Sequence, residues 1–105
     1  MSKEIVIRLP EKISPGKIAV VIDRTTIDLG LTMTMRGTLK SFPGCTHWHL
    51  KRDRGRGTLE ITWWPHRRKL WIKIQSGRTA AWIDEIAPRF KREIETRLGV
   101  LARSM

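Results

Sequence analysis

Three short runs between residues 45 and 75 alternate apolar and polar side chains with a period of two, and four-residue loops separate them. This pattern constrains the chain more than any other feature. Side chains on a strand point alternately to opposite faces, and loops this short join antiparallel neighbours. The runs are 45–52 (Cys-Thr-His-Trp-His-Leu-Lys-Arg), 57–64 (Gly-Thr-Leu-Glu-Ile-Thr-Trp-Trp) and 69–75 (Lys-Leu-Trp-Ile-Lys-Ile-Gln). The spacing predicts a basic, tryptophan-rich, three-stranded meander over 45–75.

Sorting by parity gives each strand two faces. Trp48 and Leu50, then Leu59, Ile61 and Trp63, then Leu70, Ile72 and Ile74 form one apolar set. Keeping that set on one face restricts the register, because a one-residue slip would turn every side chain over. Leu50 then faces Leu59, Trp63 faces Leu70, His49 faces Glu60, Glu60 faces Lys73, and Thr62 faces Trp71. The opposite face collects His47, His49, Lys51, Glu60, Trp64, Trp71 and Lys73. The flanking loops add Arg54, Arg56, Arg67 and Arg68.

The flanks are read by the same rules. Ile5, Ile7 and Leu9 alternate and suit a strand over 4–9. Pro10, Pro15 and Gly16 mark a loop. The β-branched, apolar stretch Lys17 to Asp23 reads as a buried strand. Over 26–36 two readings compete. Alternation of Ile27, Leu29, Leu31, Met33 and Met35 favours a strand, whereas a helix capped by Asp28 would present Leu31, Met35, Leu39 and Phe42. The strand is preferred for its threonines and glycines. Pro43-Gly44 is a turn. After Ser76-Gly77-Arg78, Thr79 is a candidate N-cap for a helix over 79–98, with Ile83, Ile86, Phe90, Ile94 and Leu98 at helical spacing. Pro88 should kink or split it, and Gly99 should stop it. The expected fold is therefore α+β, with an antiparallel sheet of about five to six strands and one C-terminal helix packed on one face. Residues 1–105 are expected to form a single domain: N-terminal strands within 4–42, the meander 45–75, and the helix.

Charge narrows the functional classes. Lys and Arg number 21 against 10 acids, a net charge of +11 on 105 residues. Between Lys51 and Lys73 eight cations (51, 52, 54, 56, 67, 68, 69, 73) face Asp53 and Glu60, a local excess of +6. Such a field attracts polyanions. Indole rings on a basic sheet can stack on bases while Arg and Lys hold phosphates. The expected partner is nucleic acid or another polyanion, bound with low sequence specificity and as single strands. The proposed contacts are Lys51, Arg54, Arg56, Trp64, Arg67, Arg68, Trp71 and Lys73. A homodimer or partner-protein interface using the same tryptophans and arginines is the first alternative.

The histidines form a weaker second motif. His-x-His on one side of a strand can chelate a metal, with Glu60 as a third ligand. With no second metal-type motif, no metal and no cofactor are expected. The same three residues, His47, His49 and Glu60, are candidates for acid–base chemistry in a small metal-independent ribonuclease. The bland alternative is a cross-strand polar pair between His49 and Glu60. No Gly-rich phosphate loop, nucleophile elbow or paired-carboxylate cluster occurs, so catalysis is not the favoured reading. The lone Cys45 excludes an intramolecular disulfide and reads as a packing residue. The longest apolar run, Ile18 to Ile22, is too short to cross a membrane. No membrane partner is expected, and a reducing cytoplasm is the expected compartment.

Overall fold

The alternating runs form strands, and the parity register holds at every pair named above. The computed structural model describes residues 2–104. In chain order the elements are β1 (Lys3–Ile7), α1 (Pro15–Asp28), β2 (Thr32–Gly37), β3 (Thr46–Lys51), β4 (Leu59–Trp64), β5 (Lys69–Ile74) and α2 (Ala81–Arg103). The five strands make one antiparallel sheet in the order β1-β5-β4-β3-β2. Leu50 pairs with Leu59, His49 with Glu60, Glu60 with Lys73, Thr62 with Trp71, and Trp63 with Leu70.

The fold is α+β with α2 packed on one face of the sheet, and α1 joins it there. The first strand lies at one edge and β2 at the other, so α1 must carry the chain across. Four strand spacings are about 19 Å, and 14 helical residues are about 21 Å long. The helix thus matches the sheet width. Its buried residues are Ile18, Val21, Ile22, Thr25 and Thr26, the i, i+3, i+4, i+7, i+8 stripe of a helix lying on a core. The two threonine hydroxyls donate back to the carbonyls of Val21 and Ile22, so neither is left unpaired.

The strand expected over Lys17 to Asp23 is therefore corrected to helix. Local composition pointed to a strand, but the burial stripe has helical spacing and Pro15 opens the helix with a ring that suits its first position. Of the apolar residues left over, Ala19 is partly buried and Val20 and Ile27 are exposed. The preferred strand over 26–36 holds only from Thr32. Residues 26–28 end α1, and Gly30, at φ +72°, turns the chain into β2. The alternative helix starting at Asp28 is not formed.

The C-terminal helix is longer than expected and starts later. Ala80, not Thr79, occupies the cap position, with no side-chain cap, and the helix runs past Gly99 to Arg103. It is not split at Pro88. Both Pro88 and Asp84, whose carbonyl loses its partner to the proline, lie on the exposed side. Its buried stripe is Ile83, Ile86, Ala87, Phe90, Ile94 and Leu98.

Trp48, Trp63 and Phe90 are the largest fully buried side chains. The Trp48 indole N–H donates to Asp23 Oδ1 at 2.9 Å, and Arg36 lies over the Trp48 ring while pairing with the same carboxylate. Arg97 pairs with Asp28 at 2.9 Å and ties the helices together. The sheet face opposite the helices carries no helix among the described residues, and the site lies there.

Candidate functional site

The register arranges the helix-free face in rows. One row runs Glu4, Lys73, Glu60, His49, Met35 across all five strands. The next runs Val6, Trp71, Thr62, His47, Gly37. The third holds Lys69 and Trp64. Acid, base and aromatic groups far apart in the chain thus become neighbours at strand spacing.

The loop 38–45 folds over part of this face. Phe42 sets its ring edge-on to Trp64 and Trp71, with centroids 5.0 and 5.1 Å away. The Trp64 N–H donates to the Pro43 carbonyl at 3.0 Å. Cys45 is buried, and its sulfur accepts the Leu39 N–H, so it staples this loop. The platform of two tryptophans is therefore a three-ring cluster. Trp64 and Trp71 are each half-buried, with Phe42 closing one side.

Beside this cluster lies a cleft of about 370 Å³. Its floor holds His47, His49, Glu60 and Thr62, and its rim holds Met35, Phe42, Trp71, Lys73 and Arg78. A second depression of about 270 Å³ shares Glu4, Phe42 and Trp71 with the first and continues past Trp64 to Lys69. The two make one groove across the sheet, polar at one end and aromatic at the other.

At the cleft floor two imidazoles and a carboxylate converge. His47 Nε2 lies 3.3 Å and His49 Nε2 3.6 Å from Glu60 Oε1, and the two Nε2 atoms are 3.1 Å apart. His47 Nδ1 is 2.7 Å from Thr62 Oγ1. The second carboxylate oxygen, Glu60 Oε2, accepts from Gln75 Nε2 at 2.6 Å and faces Arg78 at 3.5 Å. His47 and Glu60 are buried, while the His49 side chain keeps 23% of its surface open. Burial first, and then the neighbouring His49, hold the His47 imidazolium below its ordinary 6.5, against the pull of Glu60. These three residues are the group among the described residues that offers metal-ligating atoms at one point.

The cations named from sequence separate into distinct places. Lys73 lines the cleft. Arg67 lies 6.0 Å from the Trp64 ring, at the far end of β4. Arg54 and Arg56 are exposed on the β3–β4 loop, at the opposite end of that strand. Lys51 Nζ donates to the Gly57 carbonyl at 3.0 Å. Arg68, at φ +48°, donates to the carbonyls of Pro10 and Ile13 and anchors the loop before α1. Backbone acceptors thus hold the last two side chains.

Sequence reasoning missed Phe42, Gln75 and Arg78, and also Trp82. Its indole N–H donates to the Arg56 carbonyl at 2.7 Å, and Arg52 lies 5.9 Å from its ring, so it fixes the β3–β4 loop. A signal for Arg78 existed, since it follows the strand that carries Lys73. Phe42 sits in an aperiodic loop and had none.

No family model matches the chain, and no curated protein or solved structure matches it. No helix among the described residues is long and apolar enough to cross a membrane.

Proposed function

We propose that the helix-free sheet face binds single-stranded nucleic acid, RNA or DNA, with low sequence specificity. The observation that carries this reading is the groove itself. Trp71, Phe42 and Trp64 line its aromatic end, and Lys69, Lys73 and Arg78 stand along it on a chain of net charge +11. Aromatic side chains accept any base by its π-face, and cations along the same track accept the phosphates. Arg67 at one end, and Arg54 and Arg56 at the other, extend the cationic track. Lys51 and Arg68 serve it indirectly, by holding the loops. The compartment that goes with such a partner and with the unpaired Cys45 is the cytoplasm.

Titration with short single-stranded RNA and DNA, followed by tryptophan fluorescence, tests the proposal. Quenching in the wild type that is lost in Trp71→Ala and reduced in Trp64→Ala supports it. Saturable binding with unchanged quenching in both variants would place the ligand elsewhere.

One observation favours a second reading. Val6 is 68% exposed on edge strand β1 and borders the aromatic end of the groove, so a homodimer could cover the same rings. A mass that doubles with protein concentration would support that reading. RNA cleavage in chelator, abolished by Glu60→Gln, would instead make the His47–Glu60 pair a ribonuclease centre.

A further inference from the structure

The cleft floor carries a second property, independent of nucleic acid. Ligand atoms about 2.0–2.1 Å from a tetrahedral zinc ion stand about 3.3–3.4 Å apart. His47 Nε2, His49 Nε2 and Glu60 Oε1 form a triangle with edges of 3.1, 3.3 and 3.6 Å. That is one face of such a tetrahedron. Without a metal the two Nε2 atoms at 3.1 Å share one proton, and no buried side-chain polar atom among the described residues lacks a partner. A single cation would satisfy all three lone pairs at once.

The surroundings orient these atoms as a metal site requires. Thr62 Oγ1 stands at His47 Nδ1, which leaves Nε2 to serve as ligand once Nδ1 carries the proton. Gln75 and Arg78 occupy Glu60 Oε2 and turn Oε1 inward. The ligands come from paired strands β3 and β4, so their positions are fixed by the sheet and not by a loop. His49 is the partly open member, and the side of the triangle away from the sheet faces the cleft. Lys73 and Arg78 stand near that side, so an anionic oxygen or hydroxide is the fourth ligand their charge favours.

We propose that His47, His49 and Glu60 hold one divalent ion of the zinc class, with a fourth position open to the cleft. Two imidazoles and one carboxylate suit zinc and its borderline neighbours. Magnesium and calcium, which need six or more oxygens, do not fit. Sequence spacing names these three residues as possible ligands; the distances of 3.1–3.6 Å between their ligand atoms add what spacing cannot.

The test uses the full chain stripped with chelator and titrated calorimetrically with zinc, with cobalt as an optical probe of geometry. The expected result is one ion per chain and the visible bands of four-coordinate cobalt. Gln75→Ala, which frees the carboxylate, should weaken binding by roughly 10- to 100-fold, and His49→Ala should weaken it further. His66→Ala, in the exposed turn at 65–67, should leave it unchanged. His49→Asn serves if circular dichroism finds the alanine variant unfolded. No zinc binding, binding undiminished in the folded His49 variant, or a preference for magnesium overturns the proposal. Nucleic acid takes no part in this test, so its outcome is separate from that of the binding reading.

Discussion

Replacing Gly57 by alanine should destabilise the fold by about 4 kcal/mol, a sum of two terms. Gly57 sits at φ +93°, where an L side chain is strained. Such backbone strain costs about 1–3 kcal/mol. An added Cβ would also lie 2.8 Å from Ile83 Cδ1, 2.9 Å from Ala80 Cβ and 3.0 Å from the Arg78 carbonyl oxygen. Overpacking of that kind costs about 1–3 kcal/mol more. For a domain of this size, 1 kcal/mol shifts the melting temperature by about 4–8 °C. The expected fall is therefore about 16–32 °C, read by thermal unfolding and checked by urea titration. The same residue supports the site. Its carbonyl accepts Lys51, and the next N–H, of Thr58, donates to the Arg78 carbonyl beside the cleft. Gly77 is the control, because nothing lies within 4 Å of its added Cβ and its φ is not positive. Gly77→Ala should be neutral or slightly stabilising. Equal effects at the two glycines would refute the packing argument.

Other outcomes follow from the same structure. Trp71→Ala should weaken single-strand binding by about 1–3 kcal/mol, roughly 5- to 160-fold, without changing the salt slope, since it removes a stacking surface and no charge. Lys73→Ala should lower the salt slope by about 0.7, the value for one phosphate contact on a single strand. A changed slope in Trp71→Ala would assign that ring a different role. His47 also links stability to pH. Its folded imidazole is pushed below 6.5, by burial first, so the unfolded chain binds protons more readily. The contribution is fully present above 6.5 and is lost as pH falls through 6.5 towards the folded value. In chelator, melting temperature should drop between about pH 7.5 and 5.5, more in wild type than in His47→Gln; a rise would contradict the sign.

The middle of the chain was legible because its information is local. Parity and short loops determine β3, β4 and β5, and by themselves they put His49 beside Glu60 and Trp71 beside Thr62. The first helix was not legible from composition. Ile18, Val21 and Ile22 are β-branched, and only their spacing with Thr25 and Thr26 reveals the buried stripe. Both threonines are polar and escape a search for apolar residues. Glu4 and Val6 reach the site face because β1 pairs with β5, a contact between distant parts of the chain that no local pattern encodes. Phe42 joins through a loop held by Cys45 and Trp64, so its position depends on the tertiary structure. The candidate metal triangle falls between these cases. Its members were named from sequence, but their convergence at 3.1–3.6 Å depends on side-chain placement.

The helix-free face is proposed to bind single strands through its cations and rings. Affinity for a short single-stranded RNA at about 50 and 200 mM salt tests it most directly. Six phosphate contacts, at Arg54, Arg56, Arg67, Lys69, Lys73 and Arg78, give a slope of about −4.2 and about a 300-fold loss over that interval. A loss of that size, with tryptophan quenching, is the expected result. No detectable binding at the lower salt, or an affinity that does not respond to salt, would contradict the account.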